Sequence, residues 1–364
     1  MSKINNTTLS RPPPGNPTLR LTNDAHPHPL RPFRHIGHGF CGSVWAVEGS
    51  GINTCAIKRE DGGEGRSVQK DFTMHQKINS SLQALKRNSP ERAALASSIS
   101  IPACYQYVER SDDIWWSERL ERFPSQFQVA CNALITDRIP PFRQSVRDLL
   151  VNYYCPSAIQ ESAKNYPANS DCLIRPYLGR RRRNERKSMF KAFSLRNYPL
   201  HIDQMEELGL DSTHYARVMA ETLAIMHWAA QVDGNDVEFV LAPPRPTTTD
   251  PSEAPPTSTS ISTSTSDPLG EHTIWILDFD CCRDMPMDES GIDQAWRAFY
   301  KNDPFYPQPN RDNPEDQRLW EAFKERFMEA SAIILGPENE IAHFPGLLVG
   351  KIEDGNPFAA GMSN

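Results

Sequence analysis

Two short apolar runs stand out in the C-terminal half of the chain, and each of them carries a carboxylate. Residues 273–277 are followed at once by Asp278, and residues 237–242 contain Glu238. Short runs of apolar and β-branched residues between turn-forming residues predict buried strands. The segment between the runs, 243 to about 270, is rich in Pro, Ser and Thr. We therefore predict a hairpin with a disordered insertion at its turn, in which both carboxylates face one site.

A glycine-rich turn joins the first two strands predicted in the N-terminal half. Residues 34–47 have the pattern of strand, turn and strand, and Gly37, Gly39 and Gly42 are spaced as G-x-G-x-x-G. This spacing alone is a weak signal, because three glycines in a turn more often make only a tight hairpin. Such a hairpin can also lie over the phosphates of a nucleotide, since its backbone N–H groups approach without side-chain obstruction.

The third predicted strand, residues 54–59, carries Lys58. A lysine at this place can reach nucleotide phosphates as a point charge, and the alternative is a plain β-meander with a surface lysine. A helix and two further strands follow in the pattern, at residues 64–80, 101–109 and 129–138. These strands together predict a five-stranded sheet, and residues 135–141 would form the hinge that leads out of it.

The rest of the chain is mainly helical in pattern. The clearest helix spans residues 211–230, where Asp211 offers a capping side chain and apolar residues recur at helical spacing. Further helical patterns lie at residues 142–155, 292–300 and 319–335. The sequence therefore predicts an α+β fold with two lobes, an N-lobe with a small antiparallel sheet and a mainly helical C-lobe.

The lobe boundaries follow from these patterns. We assign residues 31–140 to the N-lobe and residues 141–335 to the C-lobe, with flexible insertions at about 180–190 and 243–270. Residues 1–30 are rich in Pro, Asn, Thr and His, so they predict a disordered tail. Residues 336–364 are predicted to be loosely ordered.

Composition narrows the classes of function. The chain has 364 residues, 38% of them apolar, and a formal net charge of −7, which argues against a general nucleic-acid binder. No apolar stretch approaches the roughly 20 residues that span a bilayer, and the N-terminus lacks the apolar core of a secretory signal. We expect no membrane association and a cytoplasmic or nuclear location.

The eight cysteines do not predict a zinc site. None of them forms a Cys-x-x-Cys pair, and no Cys/His spacing matches a structural zinc motif. The adjacent Cys281 and Cys282 are a poor pair of metal ligands. In a reducing compartment we expect eight free, mostly buried thiols and no bound zinc.

Residues 180–187 contain six basic residues in eight. Such a run is compatible with a nuclear-import signal or a nucleic-acid contact. A solvated loop within an insertion is the simpler interpretation, and the acidity of the whole chain favours it.

The order of glycine hairpin, Lys58 strand and helix resembles the N-lobe of the protein-kinase-like fold. In kinases this helix presents a glutamate to the strand lysine, and the position that matches here is Asp71. The resemblance implies that Gly37, Gly39, Gly42, Lys58 and Asp71 contribute to an ATP site. It also implies that an adenine could hydrogen-bond to the backbone of the hinge at residues 135–141.

The resemblance extends to the loop after the helix at 211–230. Kinases, including aminoglycoside and choline kinases, have a catalytic aspartate in this loop and a metal-binding asparagine five residues later. Asp233 and Glu238 have this spacing, although Asp236 could also point into the cleft. Asp278 lies 40 residues after Glu238. Without about 27 residues of insertion, about 13 remain, a normal length for a short hairpin. The resemblance therefore implies Mg²⁺ at Glu238 and Asp278, with Asp233 orienting an acceptor hydroxyl.

Several longer strings resemble a fungal domain family of unknown function, some of whose members are labelled "zinc finger protein". The strings lie at residues 175–181, 193–201, 226–228, 236–241, 277–280 and 302–304. The resemblance covers roughly residues 30–335. It implies a fungal source and no assigned activity.

Two hypotheses about function follow, and a third is weaker. The first is an ATP- and Mg²⁺-dependent phosphotransferase that acts on an unknown hydroxyl acceptor. The second is a catalytically inactive, pseudokinase-type module that recruits a protein partner, because Gln231 and Val232 replace the usual His-Arg and Asp280 replaces a glycine. The third, an unrelated α+β fold with regulatory work in the nucleus, depends on the arginine run alone.

Overall fold

The computed structural model describes residues 31–47, 55–182, 193–245, 267–302 and 304–358. The strands are β1 (Arg34–His38), β2 (Ser43–Val47), β3 (Cys55–Arg59), β4 (Cys104–Val108), β5 (Ala133–Asp137), β6 (Ile174–Tyr177), β7 (Tyr198–His201), β8 (Glu238–Ala242) and β9 (Thr273–Leu277). The α-helices are α1 (Val68–Lys86), α2 (Pro90–Ser97), α3 (Asp113–Ser117), α4 (Gln144–Tyr154), α5 (Gln160–Asn165), α6 (Ile202–Leu208), α7 (Ser212–Ala224), α8 (Glu289–Lys301), α9 (Pro314–Leu335) and α10 (Phe344–Asp354). The fold class is α+β, as predicted, with a two-lobe arrangement.

The N-lobe contains the predicted five-stranded antiparallel sheet, in the order β1-β2-β3-β5-β4. α1 packs across β4 and β5. It begins at Val68, four residues later than predicted, because the Ser67 side chain accepts a hydrogen bond from the Lys70 N–H and so caps the helix there. It ends at Lys86, later than the sequence pattern indicated.

The connection between β4 and β5 covers one face of this sheet. It contains α3 and two short 3₁₀ turns, Leu120–Arg122 and Ser125–Phe127. Trp116 and Phe123 from this connection pack with Trp45 and Ile57 of the sheet. Trp115 and Trp116 of this connection are both buried.

The C-lobe is built around α7 and α9, which pack against each other along their length. The predicted helix at 211–230 consists of α7 followed by one π-helical turn, Ile225–Ala229. A second, four-stranded sheet in the order β7-β6-β8-β9 lies in this lobe. β7 pairs in parallel with β6 and was not predicted.

The predicted hairpin of two carboxylate-bearing strands is present. β8 and β9 pair antiparallel from Glu238 opposite Leu277 to Ala242 opposite Thr273. This register puts Glu238 next to Asp278, which directly follows β9. β9 also exchanges two backbone hydrogen bonds with Ser100, which joins the hairpin to the segment after α2.

The C-terminal segment is more ordered than its sequence pattern indicated. Residues 336–364 were expected to be loosely ordered, but α10 forms within them. Phe344, Leu348 and Ile352 are buried at intervals of four residues, so α10 presents one apolar face to α8 and α9. The sequence pattern did not indicate this helix, because it contains Pro345 at its start and Gly346 and Gly350 further along.

Some expectations fall outside the described residues, namely the tail at 1–30, most of the insertion at 243–270 and the greater part of the basic run. The start of that run is described, and it is not a free basic surface. Arg181 pairs with Glu206 and Asp316, both at 2.7 Å, and Arg182 pairs with carboxylates of α6.

Within the described ranges, no helix has both the length and the apolarity to cross a membrane.

Candidate active site

A cleft with an empty volume of about 1020 Å³ lies between the β1–β2 hairpin and the β8–β9 hairpin. Its upper wall includes Gly37, Gly39 and Gly42, and its floor includes Glu238 and Asp278. The end of β5 and the residues directly after it, 137–139, line its side. Seven of the eight predicted site residues line this one cleft, and Asp233 is the exception.

Lys58 joins the two lobes at the centre of the cleft. Its Nζ atom lies 2.6 Å from Asp71 Oδ2 on α1 and 2.6 Å from Asp278 Oδ1 after β9. Burial alone would lower the pKa of Lys58, but the two carboxylates outweigh burial and raise it well above its ordinary value. Lys58 is therefore a fixed cation.

Asp71 forms an ion pair with Lys58, although its side chain is one methylene shorter than that of glutamate. It is buried, and its second oxygen, Oδ1, accepts a hydrogen bond from the Phe279 backbone N–H at 3.1 Å. The same carboxylate therefore ties α1 to β3 and to the segment after β9. This arrangement makes the position of the C-lobe hairpin depend on the N-lobe helix.

The glycine turn is packed against the residues that follow β3. Gly42 has a φ of 146°, and a Cβ atom there would lie 2.3 Å from the Arg59 carbonyl oxygen. Directly after it, the backbone N–H and the hydroxyl of Ser43 both donate to the Asp61 carboxylate, the N–H at 2.7 Å. Two donors beside the turn are therefore already taken by a carboxylate.

Glu238 is paired with Arg175, a residue that the sequence analysis did not assign to the site. Arg175 Nη2 lies 2.5 Å from Glu238 Oε1, and both side chains line the cleft. Burial and the nearby Asp278 raise the pKa of Glu238 to about 7, against the lowering effect of Arg175. A single arginine on a strand has no local pattern that would single it out. Its place in the string 175–181 was the only available signal.

Asp278 is the carboxylate best placed to hold a divalent cation. Its backbone is left-handed, with a φ of 66°, and its side chain is 32% exposed to the cleft. Among the described residues only Lys58 donates to it, at Oδ1, so Oδ2 has no hydrogen-bond partner. A carboxylate oxygen of this kind fits Mg²⁺, whose sites use one or two carboxylates together with phosphate oxygens. Glu238 fits less well, because its side chain is less exposed, at 22%, and because burial raises its pKa and so disfavours the charged form that a metal ion needs.

Asp233 lies behind the cleft. Its side chain has no exposed surface, Oδ1 accepts from the backbone N–H groups of Asn235 and Arg283, and Oδ2 accepts from the side chains of Arg283 and Gln294. These donors use the acceptor capacity of both oxygens. The catalytic assignment of Asp233 stays a prediction, and the contacts described here are those of a buried structural carboxylate.

Asp236 is the exposed carboxylate of the same loop. It has a left-handed backbone, its side chain is 52% exposed, and it pairs with Arg66 at 2.9 Å. The same guanidinium lies 2.8 Å from Asp280 and 2.5 Å from Cys281 Sγ. Asp236, Asp280 and Cys281 form the one group of three or more ligand atoms, within the part of the chain that is described, that could surround a metal ion.

This group does not fit a zinc-finger site. Structural zinc sites use four cysteine or histidine ligands, whereas this group offers two carboxylates and one thiol. The Arg66 guanidinium lies among the three ligand atoms, so a zinc ion would have to displace a paired cation. All eight cysteines are free, and four of them are buried.

A model of the domain family described as "DUF3669: Zinc finger protein" matches residues 274–339, from β9 to just after α9. The matched segment contains two adjacent cysteines and no histidine, so it cannot supply the four ligands of a structural zinc site by itself. A search of curated proteins found no match to this chain. The match agrees with the domain family of unknown function that the sequence resembles, while the fungal source stays a prediction. Over residues 274–339 the chain is thus similar to a domain family that has no assigned activity.

Proposed function

We propose that this chain is a protein-kinase-like protein that binds a nucleoside triphosphate, together with Mg²⁺, in the cleft between its lobes. The observation that carries the proposal is the position of Lys58 between Asp71 and Asp278, beneath a glycine-rich hairpin. Nucleotide phosphates are held in kinases by this combination of a glycine-rich loop, a strand lysine paired with a helix carboxylate, and a metal-binding aspartate.

The proposed binding mode assigns a separate task to each wall of the cleft. Residues 137–139 offer backbone groups to the base, the glycine hairpin covers the phosphates, and Lys58 supplies a fixed positive charge. Asp278 would hold the metal ion through its free oxygen. Bound Mg²⁺ would neutralise phosphate charge, which the carboxylates of the cleft floor alone would repel.

Binding without phosphoryl transfer is the function that the contacts favour. A residue that accepts the proton of a hydroxyl needs an accessible carboxylate oxygen. Asp233 has none, since four groups donate to it and its side chain is buried. We therefore propose a catalytically inactive, nucleotide-binding module that acts on a protein partner through its conformation.

A phosphotransferase is the second candidate, and one observation favours it. Asp236 lies three residues after Asp233 in the same loop, and its carboxylate is accessible. If the acceptor hydroxyl approached Asp236 and Arg66 were released, the Asp236 carboxylate could orient that hydroxyl. The acceptor would then be an unidentified alcohol.

Thermal melting with and without ATP and Mg²⁺ tests the binding proposal. We expect ATP with Mg²⁺ to raise the melting temperature of the wild type and to have a much smaller effect on Asp278→Asn. Asp284→Asn is the matched control, because this aspartate lies on the same segment but is exposed and pairs with Lys77. A wild type with no shift at saturating ATP would refute the proposal.

Incubation with ATP labelled in its γ-phosphate separates the two candidates. The inactive module predicts that the label stays on ATP even with extracts rich in candidate acceptors. Label that moves to an acceptor with the wild type, and not with Asp236→Asn, would establish the phosphotransferase instead.

A further inference from the structure

Arg175 is a charged residue of the cleft that the proposed function does not yet explain. It lies on β6, and its side chain reaches into the cleft beside Glu238. The guanidinium carries five N–H donors in a planar fork. Glu238 accepts from Nη2 and Tyr177 is a second side-chain hydrogen-bond partner of the guanidinium, whereas the Nε–H group has no partner among the described residues.

An unpartnered donor on a shielded arginine has a cost in free energy. Native proteins pair nearly all such groups, and an exception at a cleft invites a ligand as the explanation. Arginine suits a phosphate in particular, because its fork matches two oxygens of a tetrahedral anion at once. The Arg175 side chain is 24% exposed and lines the cleft, and this exposed part of the guanidinium is suited to bind an anion.

The position of Arg175 relative to Lys58 sets where that anion would lie. Lys58 contacts Asp278, and Glu238, which contacts Arg175, faces Leu277 in the strand register directly before Asp278. The two cations therefore lie on either side of a pair of neighbouring carboxylates. The floor of the cleft alternates in charge, with a cation at each end.

The charges of the floor also decide how many metal ions it can hold. Glu238 and Arg175 together carry no net negative charge, so this pair offers no net attraction to a second divalent cation. Lys58, by contrast, is shared between two carboxylates, Asp71 and Asp278, so this group keeps a net negative charge and the metal ion is assigned to Asp278. Kinases place two Mg²⁺ ions with an aspartate and an asparagine, and here an arginine lies beside the residue in the second of those positions.

We propose that Arg175 is a second phosphate-binding residue, which acts with Lys58 so that the cleft takes a nucleoside triphosphate with a single divalent cation, held at Asp278. This inference rests on the proposed nucleotide-binding function and specifies its ligand. Glu238, assigned to the metal by sequence spacing, serves here as the residue that orients Arg175.

The test compares the affinities of ATP and adenosine, measured by calorimetry in excess Mg²⁺. Adenosine has no phosphates, so it reports on the base-binding part of the cleft alone. We expect Arg175→Gln to weaken ATP by about tenfold to a hundredfold, the range for a lost hydrogen bond to a charged group, and to leave adenosine within about twofold. Arg297→Gln, an exposed arginine on α8, is the matched control.

A double variant guards against a loss of folding. Arg175→Gln alone leaves the half-buried Glu238 carboxylate without its partner, so Arg175→Gln with Glu238→Gln removes both charges together. It should show the same selective loss of ATP affinity. Glu238→Gln alone should keep ATP affinity or increase it, because the arginine is then free of its counter-ion.

The outcomes separate this inference from the function on which it rests. If the double variant binds ATP and adenosine as the wild type does, Arg175 is only a structural counter-ion and the inference is wrong. If Glu238→Gln loses ATP affinity only when Mg²⁺ is present, Glu238 is a metal ligand and the inference is also wrong. A wild type that binds neither ATP nor adenosine would instead refute the proposed function itself.

Discussion

His227 provides a quantitative test of how the C-lobe is packed. It lies in the π-helical turn after α7 and is completely buried against Trp228 and Phe327. Neither ring nitrogen makes a hydrogen bond of normal geometry, and a small apolar cavity lies beside the ring. Burial lowers the pKa of His227 to about 4, although the nearby Asp233 acts in the opposite direction.

The sign of the effect on stability follows from proton binding. In the unfolded chain a histidine titrates with a pKa of about 6.5, so below this pH the unfolded state binds a proton that the folded state does not. Stability is therefore complete above about pH 6.5 and is lost as the pH falls toward 4. One pKa unit corresponds to about 1.4 kcal/mol, so the free energy of unfolding should fall by about 2 kcal/mol between pH 7 and pH 5 because of this residue.

The assay is urea unfolding of the wild type and of His227→Leu at several pH values from 7 to 5. Other groups titrate in both proteins, so the informative quantity is the difference between the two pH dependences. We expect the variant to lack about 2 kcal/mol of the decline seen in the wild type. His343→Gln, an exposed histidine at the start of α10, should decline in parallel with the wild type. Parallel curves for His227→Leu and the wild type would refute the account of His227 as a buried, uncharged residue.

Three further predictions concern the packing around the cleft and at the C-terminus. Gly42→Ala should lower the melting temperature, because its φ is positive and its Cβ would overlap the Arg59 carbonyl, whereas Gly39→Ala, with open space at its Cβ, should melt as the wild type does. Arg59→Lys should reduce the free energy of unfolding by about 2 kcal/mol in urea titrations, since lysine cannot reproduce the two hydrogen bonds to carbonyls at 127 and 129 or the stacking on Phe123. Leu348→Ala should cost about 2–5 kcal/mol in the same assay if α10 is part of the core, and a change below about 0.5 kcal/mol would mean that the C-terminal segment is not packed.

The elements with strong local patterns could be predicted from the sequence. The β8–β9 hairpin follows from two apolar runs, and their pairing survives a long insertion because a loop's closure entropy grows only slowly with its length. The five-stranded sheet follows from its alternating strands. α10 was not predicted, because its glycines and proline are typical of loops. Burial against two other helices nevertheless stabilises it.

The site was only partly predictable, for reasons of geometry. Lys58, Asp71 and Asp278 come from three separate segments, yet each has a strand or helix position that the pattern can assign. Which aspartate of the loop at 233–236 is accessible depends on left-handed backbone angles at Gly234 and Asp236, and no spacing rule encodes them. Arg175 belongs to the site through one tertiary contact with Glu238, and a single contact leaves no mark on the local sequence.

The central claim is that the cleft binds a nucleotide through Lys58 and a metal ion through Asp278. A crystal structure grown with a non-hydrolysable ATP analogue and Mn²⁺ tests it most directly, because anomalous scattering locates each manganese ion. The account predicts a polyphosphate within hydrogen-bond distance of Lys58 Nζ and a single manganese peak beside Asp278 Oδ2. An empty cleft at saturating analogue, or a manganese peak among Asp236, Asp280 and Cys281 instead, would contradict it.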